Sequence, residues 1–252
     1  MASREGVCGV AVADDGVRVR SPKRRRQEVL DAAARVFHER GYESSSIQDI
    51  AEDLGILKGS LYYYIRSKED LLDEILWDVH EKALANIQRL DEMEGDTLQK
   101  IRAFVTLHIV FNLENLVTMG VFYHDFRSLG DERRARIVQA RDIYDGMLRD
   151  LINVGQTEGL VCPDVDPKLG AMAILGMSNW VYHWYKPRGR LKPAEVADDF
   201  ADLVLAGLAC DKASHRKGHR SKLGALPADF RTATTPSTAG RRKAPKRPKR
   251  PA

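Results

Sequence analysis

From residue 23 onward, apolar positions recur at spacings of three and four, which gives a helix one buried face. Leu30, Ala33, Ala34 and Phe37 form the first stripe, and Gly41 is placed to end its helix. Ile47, Ile50, Ala51 and Leu54 form a second, shorter stripe closed by Gly55. A third short segment, 58–65, stops before Ser67-Lys68-Glu69-Asp70, where a serine followed at three residues by an acid marks a helix N-terminus. The helix it opens is long, with Leu72, Ile75, Leu76, Val79, Ala83, Asn86 and Leu90 along one face and Asn86 the single polar member. Further helices are predicted near 97–116, 120–129, 131–158, 166–185 and 193–209, separated by short joints rich in Gly, Pro or Asp. No stretch combines period-two alternation with β-branched enrichment, so the predicted fold class is all-α.

The two ends depart from this pattern. Residues 1–22 contain Gly6, Gly9, Gly16 and Pro22 without a sustained stripe, which predicts a disordered leader. Residues 212–252 hold five of the ten prolines and the run Arg241-Arg242-Lys243-Ala244-Pro245-Lys246-Arg247-Pro248-Lys249-Arg250. Apolar residues are scattered there, too few to offset the entropy of ordering, so a disordered basic tail is expected. Between the ends, 23–70 reads as a three-helix head and 71–211 as a larger helical domain. At 252 residues and 43% hydrophobic, the chain is long enough to bury a substantial core.

The formal charge of +4 conceals a division. The tail 212–252 carries +12, residues 1–26 carry +4, and the body 27–211 carries −12. Two basic arms on an acidic body are the pattern to explain: the tail reads either as a solvated, solubilising extension or, because Lys/Arg-Pro repeats stay extended, as an auxiliary arm that tracks phosphates. Apolar runs fall short of the ~20 residues of a membrane span, and neither end has a secretory pattern, so no membrane partner is expected. Cys8, Cys162 and Cys210 share no close spacing, which argues against a disulfide framework or a metal pair and suits a reducing cytoplasm.

The segment 46–65 carries the chemistry. Ser46 can cap the second helix with Asp49 at its third position, and Leu54-Gly55-Ile56 makes a tight turn between two apolar anchors. The next helix offers Lys58, Gly59, Ser60, Tyr62, Tyr63 and Tyr64 within about two turns. A helix entering the major groove needs donors, a cation and flat groups on its exposed face, and Gly59 and Ser60 permit close approach. Against this, 27–70 holds only five Lys/Arg against nine acids. Residues 23–26, Lys58, Arg66 and Lys68 are therefore expected to share one face. Three adjacent tyrosines are also compatible with a buried core.

The stretches Ser45-Ser46-Ile47-Gln48-Asp49-Ile50-Ala51, Leu54-Gly55-Ile56, Gly59-Ser60-Leu61-Tyr62-Tyr63-Tyr64-Ile65 and Ser67-Lys68-Glu69-Asp70-Leu71-Leu72 resemble the DNA-binding domain of TetR-family repressors. The resemblance implies a helix-turn-helix, phosphate contacts from Ser46, Tyr62, Tyr64 and Lys68, and base-edge contacts from Gln48, Lys58, Gly59 and Tyr63. Three positions depart from the family pattern. Leu57 stands where a polar cap is usual, so the recognition helix is expected to start weakly; Ile65 replaces phenylalanine and Tyr64 replaces histidine.

Beyond residue 90 there is no nucleotide loop, G-x-S-x-G or H-E-x-x-H, and the histidines at 80, 108, 124 and 183 are far apart in sequence. His108, Phe111, Asn112, Met119, Phe122, Tyr123, Phe126, Met147, Trp180, His183 and Trp184 suit either an apolar pocket with sparse polar groups or a plain core. Leu169, Met172, Ala173, Gly176 and Trp180 form one stripe and Val196, Phe200, Leu203, Val204 and Gly207 another, with glycines that permit close helix approach. Glu158-Gly159-Leu160 and Pro163-Asp164-Val165-Asp166-Pro167 resemble the joint before the last helix pair of TetR-family proteins. That resemblance implies a homodimer through a four-helix bundle. Trp184-Tyr185-Lys186-Pro187 with Gly189 resembles the branch that senses acyl-CoA thioesters in lipid or steroid catabolism. The expected protein is a cytoplasmic, ligand-responsive repressor of a palindromic operator, with no catalytic cofactor. A non-specific nucleoid-associated protein and an all-helical enzyme are the alternatives.

Overall fold

The computed structural model describes residues 22–209; the basic tail and all of the leader except Pro22 lie outside the described residues. Helix α1, Pro22–Arg40, opens on a proline, whose fixed φ suits a first helical turn. It ends at Gly41, where a φ of 79° carries the N–H back to the Phe37 carbonyl at 2.9 Å. Ser46 and Asp49 form a reciprocal capping box on α2, Ile47–Asp53. Gly55, at φ 64°, turns the chain into α3, Lys58–Leu61. Leu57 supplies no side-chain cap, yet α3 begins at Lys58 as expected; it is the far end that falls short, since 62–64 form turns.

Helix α4, Lys68–Gln88, is 21 residues and about 30 Å long. Its Ser67 cap accepts from the Asp70 N–H at 3.0 Å, but the Asp70 carboxylate turns outward to Arg133, so the expected box is half closed. Helix α5, Thr97–Glu114, stops at Asn115, whose side chain donates to the Phe111 carbonyl at 2.8 Å. There the axis bends by 95° into α6, Leu116–Asp125, and a short 3-10 turn, Phe126–Ser128. Helix α7, Asp131–Thr157, is followed by α8, Pro167–Asn179, the single turn α9, Val181–Trp184, and α10, Pro193–Leu208. Among the described residues the only β pairing is an isolated bridge between Val161 and Ala209.

Two apolar cores hold these helices. The first gathers Phe37, Ile50, Leu61, Leu71, Leu72 and Val79 with Met119, Val121, Phe122, Leu129 and Ile137. The change of packing therefore does not fall at residue 70, where the pattern of helices puts a boundary. α6 lies against α1, and the upper part of α4 belongs to the head's core. The second core joins α5, α7, α8 and α10 through Ile101, Phe104, Leu148, Ile152, Ile174 and Val204, with α10 running along α5. No single described helix is long and apolar enough to cross a membrane.

Candidate nucleic-acid interface and ligand cavity

Apolar anchors on either side orient the tyrosines of 62–64. Leu61 and Ile65 are buried in the head's core, which leaves the residues between them to face away. Tyr63 is 83% exposed and Tyr62 52%, while Tyr64 is half-buried, its ring edge-on to Tyr63 at 5.0 Å. Nothing lies within 4 Å of where a Cβ on Gly59 would stand, so the backbone there is open to a close partner. Lys58, Gly59, Ser60, Gln48 and Ser46 are all exposed around it.

The cations are less free than their number suggests. Lys68 turns inward: its ammonium donates to the carbonyls of Tyr42 at 2.7 Å and Ser45 at 2.9 Å and lies 4.1 Å over the Tyr42 ring. It therefore fastens the loop ahead of α2 instead of offering its charge to a phosphate. Only the N–H groups at the start of α4 remain open to an anion at that position. Arg26 donates to the Tyr64 carbonyl at 2.8 Å and pairs with Glu74 at 2.5 Å, Arg35 pairs with Asp53, and Arg40 with Asp49. The single basic face is thus realised only in part. Arg26 and Arg66 meet the three tyrosines around a polar groove of about 450 Å³ that Asp70, Asp73 and Glu74 also line, while Lys68 leaves it and the side chain of Lys23 lies outside the described residues. The Ser46 hydroxyl bonds to Asp49 at 2.7 Å and Gln48 to Glu52 at 3.0 Å, so a DNA contact from either must displace or share those bonds.

A second site lies between α4, α5, α6, α7 and α8: a cavity of about 50 Å³. Five residues expected to line a pocket do so, namely His108, Asn112, Met119, Phe122 and Tyr123. The other six lie elsewhere. Phe111 and Phe126 pack in the head's core, and Met147 packs in the second core. Trp180 is exposed and stacks on His183 at 4.2 Å, and Trp184 stacks on Phe200 at 6.3 Å. Their apolar bulk fitted a pocket, but the break between α8 and α9 turns them to the surface. The remaining lining comes from Val79, His80, Ala83, Arg141, Tyr144, Asp145, Leu175 and Asn179. Arg141 and Asp145 had a sequence signal, a charge pair at i, i+4 beside the buried stripe of Ile137, Ala140, Tyr144 and Leu148 on α7. His80 and Asn179 had none, since only the fold brings them to His108.

His108 is the centre of a buried polar network. Its Nδ1 lies 2.7 Å from the Tyr144 hydroxyl and its Nε2 2.8 Å from Asn179 Oδ1, which also accepts from the Tyr123 hydroxyl at 2.6 Å. An amide oxygen only accepts, so the shorter contact puts the imidazole proton on Nε2 and lets Nδ1 accept from Tyr144; Asn112 Nδ2, 3.1 Å from the same Nε2, then faces it donor to donor. Burial pushes the His108 pKa down to about 4 and raises both tyrosine hydroxyls. The network is therefore neutral at pH 7. No group of three or more His, Cys, Asp or Glu among the described residues is placed to hold a metal ion.

Comparison with known proteins decides the family. A profile described as "Bacterial regulatory proteins, tetR family" matches residues 29–75, and one described as "Tetracyclin repressor-like, C-terminal domain" matches 94–208. The HTH-type transcriptional repressor KstR2 of Mycolicibacterium smegmatis is 28% identical over 189 residues, covering 74% of this chain and 92% of that protein. The ketosteroid transcriptional regulator KstR2 of Mycobacterium tuberculosis superposes with a TM-score of 0.71 at 27% identity, over 74% of this chain and 96% of that one. AibR, solved in complex with isovaleryl coenzyme A and operator DNA, superposes at 0.65 with 30% identity, over 71% of this chain and 97% of that one. The chain belongs to the TetR family.

The outer surface of this TetR-family chain bears on how two copies meet. Leu169, Met172, Ala173, Gly176 and Trp180 form an exposed stripe along α8 and its end, and the space above Gly176 and Gly207 is open. On α10 the expected stripe divides. Val196 and Val204 are buried against the chain's own α5, Phe200 is half-buried, and Leu203 is 63% exposed. An i, i+4 pattern cannot distinguish a helix face that meets its own domain from one left for a partner. Val196 and Val204 are core residues, and the outward face of α10 is Leu203, Ala206 and Gly207 beside Asp199 and Asp202.

Proposed function

We propose that this protein is a ligand-responsive transcriptional repressor that binds a near-palindromic operator as a homodimer and is not an enzyme. The observation that carries the reading is the tyrosine crest just after α3: Tyr63 projects from the turn that follows the helix, between Leu61 and Ile65, both locked in the core. A rigid base with an exposed aromatic, hydroxyl-bearing crest suits a major groove, where phosphate contacts set position and base edges set specificity. Two such crests in one dimer would enter successive grooves about 34 Å apart. The α8 stripe with Leu203 and Gly207 of α10 is the pairing surface, as a four-helix bundle requires. Such a protein works in the bacterial cytoplasm, on DNA.

The effector belongs in the cavity, because α4 joins the two sites. The helix starts in the head at Lys68 and contributes Val79, His80 and Ala83 to the lining. A ligand that prefers a different setting of α4 lowers operator affinity by its differential binding energy, typically ~1–3 kcal/mol. An acyl-CoA thioester is the proposed class, supported by the likeness to AibR, which was solved with isovaleryl coenzyme A. At about 50 Å³ the cavity is closed to such a ligand, so Met119, Phe122 or Tyr123 must swing aside as the acyl chain enters.

Selection of bound duplexes from a random pool tests the DNA reading and should return an inverted repeat. Tyr63→Ala should reduce specific binding at least tenfold without changing the melting temperature. Equal affinity for every duplex would support non-specific nucleoid binding instead. For the effector, a series of acyl-CoAs starting with isovaleryl-CoA should raise the melting temperature and release the selected operator. Failure of the whole series on both measures would remove the thioester assignment.

A further inference from the structure

The effector cavity contains one polar atom with no partner. Its lining divides into an apolar wall of Val79, Ala83, Met119, Phe122 and Leu175 and a polar set. Within the polar set, His108, Tyr123, Tyr144 and Asn179 hydrogen-bond to one another, and Asn112 donates to the Ser178 carbonyl at 3.5 Å. His80 stands apart from them. It is only 6% exposed, it lines the cavity, and its Nε2 is buried without a hydrogen-bond partner. A buried polar group left unmade costs stability that an apolar side chain of similar shape would not. The atom itself has almost no accessible surface, so a ligand group can satisfy it only when the side chains beside the cavity part to admit one.

The surroundings restrict what that group is. His80 lies between Trp77 of its own helix, ring centroids 6.2 Å apart, and Tyr144 of α7 at 6.3 Å. Arg141 and Asp145, one turn apart on α7, also line the cavity. Burial and the charge of Arg141 both hold the imidazole below its usual pKa, so it is neutral at pH 7 and presents either a donor or a lone pair. A hydroxyl answers both tautomers, since it donates and accepts, and the carboxylate of Asp145, on the same lining, can accept a hydrogen bond from it. Arg141 and Asp145 offset one another's charge in the lining, so it calls for no net charge on the ligand.

We infer that the cavity selects a ligand with an apolar body and one uncharged hydroxyl group, and that His80 Nε2 is the atom that reads the hydroxyl. This rests on the cavity being the effector site, but its test needs neither DNA nor coenzyme A. Titration of the full chain with p-cresol and with toluene, followed by calorimetry and by the His80 imidazole resonances, compares one skeleton with and without a hydroxyl. A purely apolar cavity favours toluene, because the hydroxyl must be stripped of water and gains nothing. The wild-type chain should instead prefer p-cresol by about fivefold, the worth of one hydrogen bond. His80→Gln should keep that preference and His80→Leu should reverse it, while melting at or above the wild-type temperature as relief of an unsatisfied group requires. Preference for toluene in the wild type, a ratio indifferent to His80→Leu, or uptake of neither compound would each overturn the inference. If the preference holds while no duplex is selected, the fault lies with the DNA reading and the hydroxyl assignment stands.

Discussion

His108 shows how far one residue's environment exceeds its identity. In the sequence it is one histidine among several; in the fold it is fully enclosed, neutral and bonded on both ring nitrogens. Its pKa, about 4 here, lies below the ordinary histidine value of 6.5, so the unfolded chain binds the extra proton first. The stabilisation is therefore complete above pH 6.5 and is lost as the pH falls towards 4. At 1.36 kcal/mol per pKa unit the loss reaches about 3 kcal/mol. Denaturant titrations across pH 4–7 should show this slope in the wild type and a clear reduction of it in His108→Gln. An equal slope in both would mean that other groups carry it. The DNA-facing residues differ in kind, because their roles depend on local pattern: Leu61 and Ile65 inward and Tyr62 and Tyr63 outward follow from helical spacing alone. Lys68 was not legible in this way. Its position at the start of α4 was predictable, but the Tyr42 and Ser45 carbonyls that hold its ammonium are brought to it only by the fold.

Among the elements, α4 and α7 form the pair through which the two sites would communicate. Where both helices begin, Arg133 pairs with Asp70 at 2.5 Å and approaches Glu69 at 3.9 Å, and Glu69 accepts from the Gly130 N–H at 3.0 Å. Arg136 reaches both oxygens of Asp73 at 2.8 Å and lies 4.5 Å over the Trp77 ring. About two turns further on, the same helices provide His80, Ala83, Arg141, Tyr144 and Asp145 to the cavity. The ladder thus fixes one end of each helix while their middles border the cavity. These pairs are partly solvated, so the double variant Arg133→Ala/Arg136→Ala should lose no more than about 2 kcal/mol of stability. It should bind effector as the wild type does, but the release of operator should weaken several-fold. Release at full strength would show that the ladder is ordinary surface pairing. Nothing in the heptad-scale pattern forecast it, because ion pairs between helices 60 residues apart leave no periodic trace.

For the whole molecule, the pairing surface is the test. Gly176 is exposed in the middle of α8, and a Cβ there would meet nothing within 4 Å of its own chain. Gly176→Arg should therefore leave the protomer folded while placing a charged side chain on the surface proposed for pairing with a second copy. Sedimentation should show a monomer, and binding to a two-half-site operator should fall at least tenfold. A dimer that survives the change would move the interface elsewhere. An all-helical chain, a three-helix head with its capping box and turn glycine, and an outward tyrosine crest follow from the sequence itself. Each depends on contacts within a few turns, where spacing determines which side chains share a face. The 95° angle at Asn115, the recruitment of α6 into the head's core, the composition of the cavity and the inward turn of Val196 and Val204 were decided only in three dimensions. Each is a choice between surfaces of similar apolar character, and that choice depends on which distant helix arrives to cover them.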